Sequence, residues 1–311
     1  MKIVTVTLNP CIDKTFSVER VVADRKLAGQ DVHEYPGGGG INVARAITRL
    51  GGEAQALWSY GGSMGSRLAQ LLDVEHVPHV PVPIEGDVRE NLIVSDKSTG
   101  EQYRFGMPGP ELSDADRTRW LETVRDLPPS VEYVVVSGSL PGAASLEWFG
   151  EILGAVPPGP KMIVDTKGAA LRRALDAGVY LIKPNARELA DVAGGALAND
   201  VEIEKAAHAI IDAGSAQIVV VSLGRGGAIL VTAERVQRFS APSVRVRSKV
   251  GAGDSMVGGL TTALLQMHPL DDAVRFGVAA GSAAVMNEGT ELCRREDTER
   301  LYQNLREREC P

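Results

Sequence analysis

Short apolar runs alternate with helical patterns along most of the chain. Residues 2–8 switch between polar and apolar positions, as a half-buried strand does. Five later runs are short and rich in Val and Ile, which is typical of strands covered on both faces, at residues 56–61, 132–137, 162–165, 180–183 and 217–222. Helical patterns lie between or after these runs, at residues 41–50, 66–72, 113–126, 169–177, 201–213, 254–266 and 270–287. This alternation predicts an α/β fold with a mostly parallel sheet.

Two segments, residues 16–35 and 88–105, instead alternate polar and apolar positions without a helical period. The second segment holds a hairpin signal around the sequence KSTG at 97–100. We predict a small antiparallel sheet that projects as a lid able to exclude water, with a plain extension of the main sheet edge as the alternative. No repeat or linker divides the chain, which predicts one domain over residues 1–311, with the lid at about 14–35 and 87–107.

Composition narrows the class of protein. The 311 residues include 33 Lys and Arg against 40 Asp and Glu, a net charge of −7, and 44% of residues are hydrophobic. This is the balance of a globular protein, and it excludes disordered, collagenous and disulfide-scaffold chains. The acidic balance argues against a nucleic-acid partner but leaves a small anionic substrate open. No apolar run approaches the roughly 20 residues that would span a bilayer, so no membrane partner is predicted.

Cysteine and histidine usage gives little sign of metal binding. The three cysteines, Cys11, Cys293 and Cys310, have no C-x-x-C spacing, and the five histidines form no i, i+4 pair. An odd and sparse cysteine count predicts a reducing, cytoplasmic setting. The first ten residues resemble a strand more than a signal peptide.

Glycine is concentrated in three clusters, at residues 37–40, 224–227 and 251–253, and the first and third directly precede predicted helices. A glycine-rich helix start leaves backbone N–H groups open to an anion, so two such starts suggest two anionic ligands, or one pair of ligands that meet head to head. Tight turns without a ligand are the alternative. The chain has no Gly-Lys dipeptide, and the pattern G-x-G-x-x-G fails at Val43 and Met256, which excludes a P-loop and a dinucleotide fingerprint.

Asp254 follows the third glycine cluster in the first turn of a predicted helix. A carboxylate there is often only a helix cap. Beside open amides, however, it could accept the proton of a hydroxyl group while the amides stabilise a transferring phosphoryl group. Phosphoryl transfer requires mainly positioning, charge stabilisation and one proton acceptor.

Asn185 and Glu188 lie three residues apart, after a predicted strand that ends at Lys183. Their oxygens suit Mg²⁺ held through its water shell, and ligands of open α/β sheets bind at the carboxyl ends of strands. A solvated helix surface is the alternative interpretation.

Together these clusters resemble the ribokinase-like sugar kinases of the phosphofructokinase B family. The resemblance rests on GGGGINVARA at 37–46, Asn185-x-x-Glu188 and VGAGDS at 250–255, and it extends from about residue 3 to 305. The motifs LNPxxD at 8–13, GEQYRFxMPG at 100–109 and SGSLP at 137–141 are similar to the B-type 6-phosphofructokinases of that family. Many 1-phosphofructokinases and tagatose-6-phosphate kinases have lysine where this chain has Gly39, which favours fructose 6-phosphate.

The resemblance implies a three-layer α/β/α fold and ATP-dependent phosphorylation of fructose 6-phosphate at its 1-hydroxyl group. It also implies Mg²⁺, K⁺ as in some relatives, and a homodimer formed through the lid. The alternatives are a 1-phosphofructokinase, a tagatose-6-phosphate kinase or, in a different class, a non-catalytic regulator that binds sugar phosphates.

The resemblance also implies roles for individual residues. Asp254 would be the catalytic base, and the anion hole would comprise Gly251, Ala252 and Gly253. The sugar phosphate would meet Asp13, Lys26, Gly38, Gly39, Asn42, Arg89 and Ser139. The nucleotide would meet Lys183, Ser222, Gly224, Gly227 and Asn287. Mg²⁺ would be held by Asn185 and Glu188, and K⁺ by the group Ser248, Val250, Ala284, Asn287 and Gly289.

Overall fold

Strands and helices alternate through the computed structural model, which describes residues 1–142 and 146–309. The strands of these ranges are β1 (Ile3–Thr7), β2 (Cys11–Val18), β3 (Gln30–Gly37), β4 (Ala54–Tyr60), β5 (His79–Pro83), β6 (Arg89–Asp96), β7 (Gln102–Gly106), β8 (Tyr133–Ser137), β9 (Lys161–Asp165), β10 (Val179–Ile182), β11 (Ala216–Ser222), β12 (Ala228–Val231) and β13 (Val236–Phe239). The helices are α1 (Gly39–Arg49), α2 (Gly62–Val74), α3 (Asp114–Arg125), α4 (Leu146–Ala155), α5 (Gly168–Ala177), α6 (Ala186–Ala193), α7 (Asp200–Asp212), α8 (Ala252–Leu265), α9 (Leu270–Ala284) and α10 (Arg295–Glu309).

The main sheet has the strand order β13-β12-β11-β10-β9-β8-β1-β4-β5. Its pairings are parallel from β11 to β5, and β12 and β13 add an antiparallel edge. The chain builds outward from β1 to β5 and then returns to add β8 on the other side of β1. The strand order therefore reverses between β1 and β8, and in open α/β sheets ligands bind at such a switch point.

Helices cover both faces of this sheet, which confirms the predicted three-layer fold. Successive strand residues point to opposite faces, and Ile3 and Val4 accordingly belong to two different apolar clusters. The first cluster includes buried side chains of α1, α8 and α9, and the second includes Trp120 of α3 and Phe149 of α4. Within the described ranges, no helix combines the length and apolar character needed to cross a membrane.

A separate four-stranded sheet, in the order β3-β2-β6-β7, confirms the predicted small sheet over the alternative of an edge extension. Its two outer pairings are antiparallel as predicted, whereas the central pairing of β2 with β6 is parallel. Strand β2 begins at Cys11, four residues after β1 ends. The small sheet therefore starts directly above the carboxyl end of β1, where the switch point lies.

The six predicted strands and seven predicted helices are all present. Sequence patterns missed β5, whose sequence HVPVP contains two prolines, because proline disfavours strand assignment except at a sheet edge, which is where β5 lies. They also missed α4, which contains Gly150 and Gly154, and the short strands β12 and β13.

The cysteines Cys11 and Cys293 are buried free thiols, and Cys310 lies outside the described residues. The cytoplasmic setting stays a prediction.

Candidate active site

The candidate site lies along the carboxyl edge of the main sheet. Five neighbouring parallel strands end there, at Thr7, Ser137, Asp165, Ile182 and Ser222. Helices α1 and α8 begin beside this edge, each after a glycine cluster, and they pack against each other. The topology therefore brings together segments that are up to 250 residues apart in sequence.

Asp254 lies in the first turn of α8, and its carboxylate is bound from across the site. Its Oδ2 accepts a hydrogen bond of 2.9 Å from Nδ2 of Asn42 on α1. The N-cap of α8 is Gly251, and no side-chain hydrogen bond caps the helix, so Asp254 is a first-turn residue and not the N-cap. Gly251 adopts φ 73°, and a Cβ there would collide with Leu292. The geometry leaves the first-turn amides of α8 beside a free carboxylate oxygen.

The carboxyl group of Asp254 is a stronger base than an ordinary aspartate. Burial and the negative charge of Asp165 raise its pKa to about 6, while the hydrogen bond from Asn42 and the charge of Lys183 act in the opposite direction. A carboxyl with this pKa is mostly ionised at pH 7 and accepts protons more readily than one with an ordinary pKa.

Lys183 follows β10 and lies beside the start of α8. Its ammonium is almost fully buried, with Nζ 3.2 Å from Oδ1 of Asp165, and a Cβ on Gly253 would lie 3.6 Å from that Nζ. Burial alone would lower the pKa of Lys183, but the charges of Asp165 and then of Glu188 and Asp254 outweigh it and raise the pKa. The lysine therefore stays positively charged next to the α8 amides.

The acceptor side of the site is formed by β2 and the start of α1. Asp13 is buried on β2, and its Oδ1 accepts a 2.9 Å hydrogen bond from Nδ2 of Asn91. A Cβ on Gly37 would lie 2.8 Å from Oδ2 of Asp13. Gly38, the N-cap of α1, has φ 107°, and Gly39 packs against the end of β8. The glycines therefore allow α1 to start directly against Asp13 and the sheet.

Arg89 and Ser139 are joined through Asn9, a residue to which the sequence analysis assigned no role. Asn9 accepts a 3.0 Å hydrogen bond from Nε of Arg89, and its Nδ2 donates one of 3.0 Å to Oγ of Ser139. Asn91 accepts a further bond from Arg89, of 2.8 Å. The motif LNP at 8–10 was the only sequence signal for Asn9. Lys26 lies in the exposed loop between β2 and β3, and within the described chain it has no hydrogen bond or ion pair with these residues.

Several of the residues predicted for the nucleotide and the anion hole line a cavity of about 530 Å³, and Lys183 is not among them. Its walls include five predicted residues, namely Ser222, Gly224, Gly227, Ala252 and Gly253. Apolar side chains of Val278 and Val285 form another part of the wall. The cavity therefore joins the α8 amides to an apolar surface that a planar ring could contact. Asn287 lines a neighbouring cavity of about 420 Å³ instead, and its Nδ2 donates to the carbonyl oxygen of Leu292 at 2.9 Å.

Asn185 and Glu188 cap the start of α6 reciprocally. The Glu188 amide donates to Oδ1 of Asn185, and the Asn185 amide donates to Oε2 of Glu188, each at 2.9 Å. Asn185 also forms a parallel bridge with Ser222, which places the pair beside the nucleotide cavity. One carboxylate and one amide oxygen fit Mg²⁺, because this ion keeps several waters and takes its other ligands from substrate phosphates. Among the described residues, no cluster of three His, Cys, Asp or Glu side chains could bind a metal ion alone.

The residues predicted for K⁺ also meet in one place. Oγ of Ser248 donates to the carbonyl oxygen of Gly289 at 2.7 Å and accepts from the amide of Val250 at 3.2 Å. The amide of Asn287 donates to the carbonyl oxygen of Ala284 at 3.2 Å. The loop after α9 and the segment before α8 are therefore in contact.

The sequence analysis missed one residue on the nucleotide side of the site. This residue is Asp165, which pairs with Lys183. Its sequence signal was a carboxylate at the end of a strand. Asp165 has no assigned role in the motifs, although its charge has the largest effect of any neighbour on both Lys183 and Asp254.

Comparisons with known proteins identify the family of the chain. The model of the family described as pfkB family carbohydrate kinase matches residues 6–297. The chain is 42% identical to ATP-dependent 6-phosphofructokinase isozyme 2 of Escherichia coli (strain K12), covering 98% of this chain and 99% of that protein. A counterpart of the same name from Mycobacterium tuberculosis is 40% identical, over 97% and 89% of the two chains.

A solved structure gives the same result. The crystal structure of Escherichia coli phosphofructokinase-2 in complex with potassium matches with a TM-score of 0.93 and 42% identity, over 98% of this chain and 99% of that chain. In the sequence comparison, a 1-phosphofructokinase from Bacillus subtilis is 32% identical, over 93% and 95% of the two chains. The fold and these matches show that the chain belongs to the pfkB family of carbohydrate kinases and is a sugar-phosphate kinase.

Proposed function

We propose that the chain transfers the γ-phosphoryl group of ATP to the 1-hydroxyl group of fructose 6-phosphate, which yields ADP and fructose 1,6-bisphosphate. The observation that carries this proposal is the carboxylate of Asp254, with its raised pKa, beside the uncapped start of α8. The hydroxyl proton passes to Asp254, and the hydroxyl oxygen bonds to the γ-phosphorus. The bond between the γ-phosphorus and the bridging oxygen breaks, and ADP leaves.

The chain stabilises the charge that moves during this transfer. Lys183 and the amides of Gly251, Ala252 and Gly253 face the developing negative charge, and fixed donors of this kind typically contribute about 10²–10³-fold each. Asn185 and Glu188 would hold Mg²⁺ through its water shell, and this ion supplies further neutralisation of the phosphates when it is bound. The residues grouped around Ser248 would hold K⁺ near the start of α8. The Escherichia coli relative was solved in complex with potassium.

Two observations favour fructose 6-phosphate over fructose 1-phosphate as the substrate. They are the packing of Gly39 and the names of the more similar relatives. A Cβ on Gly39 would lie 2.6 Å from the amide nitrogen of Gly138, so this backbone leaves no room for the lysine seen in many 1-phosphofructokinases. Arg89, fixed by Asn9 and Asn91, offers a guanidinium to a sugar phosphate. The relatives with 40–42% identity are named 6-phosphofructokinases, and the Bacillus subtilis 1-phosphofructokinase is more distant at 32%.

The proposal is tested by measuring turnover with fructose 6-phosphate, fructose 1-phosphate and tagatose 6-phosphate in parallel. We expect the highest kcat/KM with fructose 6-phosphate, and a higher value with another sugar would assign the chain to that kinase class. Asp254→Asn should lower kcat by at least about 10²–10⁴-fold and still bind ATP. The exposed Asp176→Asn serves as the matched control and should retain wild-type turnover.

A non-catalytic regulator is the rival from another class. It would be expected to lack the base or the glycine-rich helix start, and this chain has both. Phosphoryl transfer above background would exclude a non-catalytic regulator. Binding of sugar phosphate without transfer would instead show that the chain is such a regulator and not a kinase.

We also propose that two copies associate through the small sheet. Its β7 edge exposes the apolar side chains of Tyr103 and Phe105, and Met107 follows them. Unpaired strand edges with apolar side chains favour pairing with another chain. Light scattering should give about twice the chain mass of 33.0 kDa, and Phe105→Asp should reduce the mass to that of one chain. A monomeric wild type would refute the homodimer.

A further inference from the structure

Arg45 on α1 is a charged side chain with no exposed surface. A buried guanidinium is costly unless its donors are satisfied and its charge is paired. Arg45 lies within the motif of residues 37–46, but the function proposed above gives it no role. Its contacts therefore need an explanation beyond packing.

The guanidinium of Arg45 joins three parts of the acceptor side. Nε and Nη2 bind the two carboxylate oxygens of Glu75, the C-cap of α2, at 2.9 and 2.6 Å. Nη1 donates to the carbonyl oxygen of Pro36, just before the glycine cluster, at 2.8 Å and to Oδ1 of Asn42 at 3.0 Å. Burial would raise the pKa of Glu75, but the bonds and charge of Arg45 outweigh it and lower the pKa. Arg45 and Glu75 thus form a charged pair anchored between two helices.

Arg45 and Asp254 hold the Asn42 amide from its two ends. An asparagine side chain has an acceptor end and a donor end, whereas arginine can only donate. Because Oδ1 of Asn42 faces Arg45, its Nδ2 faces Asp254 and donates to that carboxylate. Without Arg45, Oδ1 of Asn42 loses its donor, and the amide is held at one end only, by Asp254.

We infer that Arg45, held by Glu75, is a positioning residue that orients the Asn42 amide toward the carboxylate of Asp254. This inference deepens the proposed function and rests on Asp254 being the base. Arg45 touches neither substrate nor reacting atoms and acts only through Asn42.

Other groups that face Asp254 are independent of Arg45. They are Asp165 at the end of β9, Lys183 after β10, and Asp13 and Cys11 on β2. Removing Arg45 leaves these groups in place. Since the bond from Asn42 lowers the pKa of Asp254, losing its orientation should raise that pKa.

The test compares Arg45→Met with the matched control Arg49→Met. Arg49 also contacts Glu75, at 3.4 Å, but has no bond to Asn42. We expect Arg45→Met to lower kcat about tenfold at pH 7, the effect of losing one hydrogen bond to a charged group, with the KM for ATP nearly unchanged. The acidic limb of the pH–rate profile should move to higher pH. Arg49→Met should change neither quantity.

A double-mutant cycle identifies the route of the effect. In an Asn42→Ala background, Arg45→Met should have no further effect on kcat, because the amide it orients is absent. A full tenfold loss in that background would overturn the inference. Arg45→Met/Glu75→Gln leaves no unpaired buried carboxylate and replaces Arg45→Met if the single variant does not fold, with the same outcomes expected.

A titration of the Asp254 carboxyl by ¹³C NMR, with labelled aspartate, separates this inference from the proposed function. Arg45→Met should raise the pKa of Asp254 whether or not that residue is the base. An unchanged pKa refutes the positioning role. Retained turnover in Asp254→Asn would instead refute the base assignment.

Discussion

The two glycine-rich helix starts look alike in sequence but have different surroundings. At the start of α1, a Cβ on Gly39 would lie 2.6 Å from the amide nitrogen of Gly138, and one on Gly40 would lie 2.5 Å from the carbonyl oxygen of Val6. At the start of α8, a Cβ on Gly251 would meet a side chain, that of Leu292, rather than backbone, and the nearest atom to a Cβ on Gly253 would be Nζ of Lys183, at 3.6 Å. The first start is packed against the ends of β8 and β1, and the second opens onto a cavity and a fixed cation.

This difference shows that a glycine cluster before a helix has two separate physical uses. The glycines of α1 let the helix approach the sheet closely, which places Asn42 opposite Asp254. Those of α8 leave amides uncapped beside Lys183, where an anion gains from the helix dipole and from the charge. The sequence analysis left anion sites and tight turns open for both starts. The packing of α1 fits a close approach to the sheet, and the α8 start is the one that we propose to stabilise charge.

The largest effect is expected from removing the cation of the α8 start. Lys183→Met should lower kcat by about 10²–10³-fold, because a fixed donor to the transferring group is lost. Asp165 would then be left unpaired, so Lys183→Met/Asp165→Asn should be measured beside it. The exposed Lys205→Met on α7 is the control and should match wild type. A kcat within threefold of wild type in a folded Lys183→Met enzyme would remove this lysine from the charge-stabilising side.

A pair of alanine substitutions tests the packing difference directly. Gly39→Ala should lower the free energy of unfolding by about 1–3 kcal/mol, because backbone atoms must move to admit the methyl group. Gly253→Ala should leave it unchanged or raise it by up to about 1 kcal/mol, since alanine is the better helix residue. Urea unfolding of both variants measures this contrast, and equal losses would show that both starts are tightly packed.

Replacing Asn9 should have a smaller effect, which is confined to the KM for the sugar phosphate. Asn9→Ala removes the link between Arg89 and Ser139, and we expect the KM for fructose 6-phosphate to rise about tenfold, as for one lost bond to a charged group. The KM for ATP should stay nearly constant. Asn304→Ala on the exposed face of α10 is the control. Equal rises in both KM values would show that Asn9 supports the whole site rather than the sugar phosphate.

Local features of the fold could be predicted from the sequence because they depend on near neighbours. Ser113 and Asp116 form the reciprocal cap that a spacing of three residues indicates. Strands dense in Val and Ile were found, whereas the proline-containing β5 was not.

Long-range contacts could not be predicted in this way. Asn9 lies 80 residues from Arg89 and 130 from Ser139, and Arg45 lies 30 residues from Glu75. No periodicity or spacing records such pairs. Asp254 was found because its neighbours in sequence are also its neighbours in space, whereas Asp165 and Asn9 become site residues only when the strand ends meet.

The pH dependence of turnover should distinguish the start of α8, which carries the carboxyl group of Asp254, from the start of α1. Because Asp254 accepts a proton only when ionised and its pKa is about 6, kcat/KM should be about tenfold lower at pH 5 than at pH 8. Lys183→Met should move this acidic limb to higher pH, because the lysine charge lowers the pKa of Asp254. Gly39→Ala should move the limb in the same direction but less far, since the first turn of α1 carries no acidic residue and acts on Asp254 only through the hydrogen bond of Asn42.

The same carboxyl group should make the folded protein less stable as the pH rises, whereas turnover increases with pH. A carboxyl whose pKa is raised on folding is less favourable in its ionised form, so Asp254 destabilises the folded chain above about pH 6 and not below about pH 4. Asp254→Asn should therefore unfold at a higher urea concentration than wild type at pH 8, and the difference should disappear by pH 4. A wild type and variant that differ equally at both pH values would show that the α8 start does not hold this carboxyl away from water, and the contrast with α1 would then rest on packing alone.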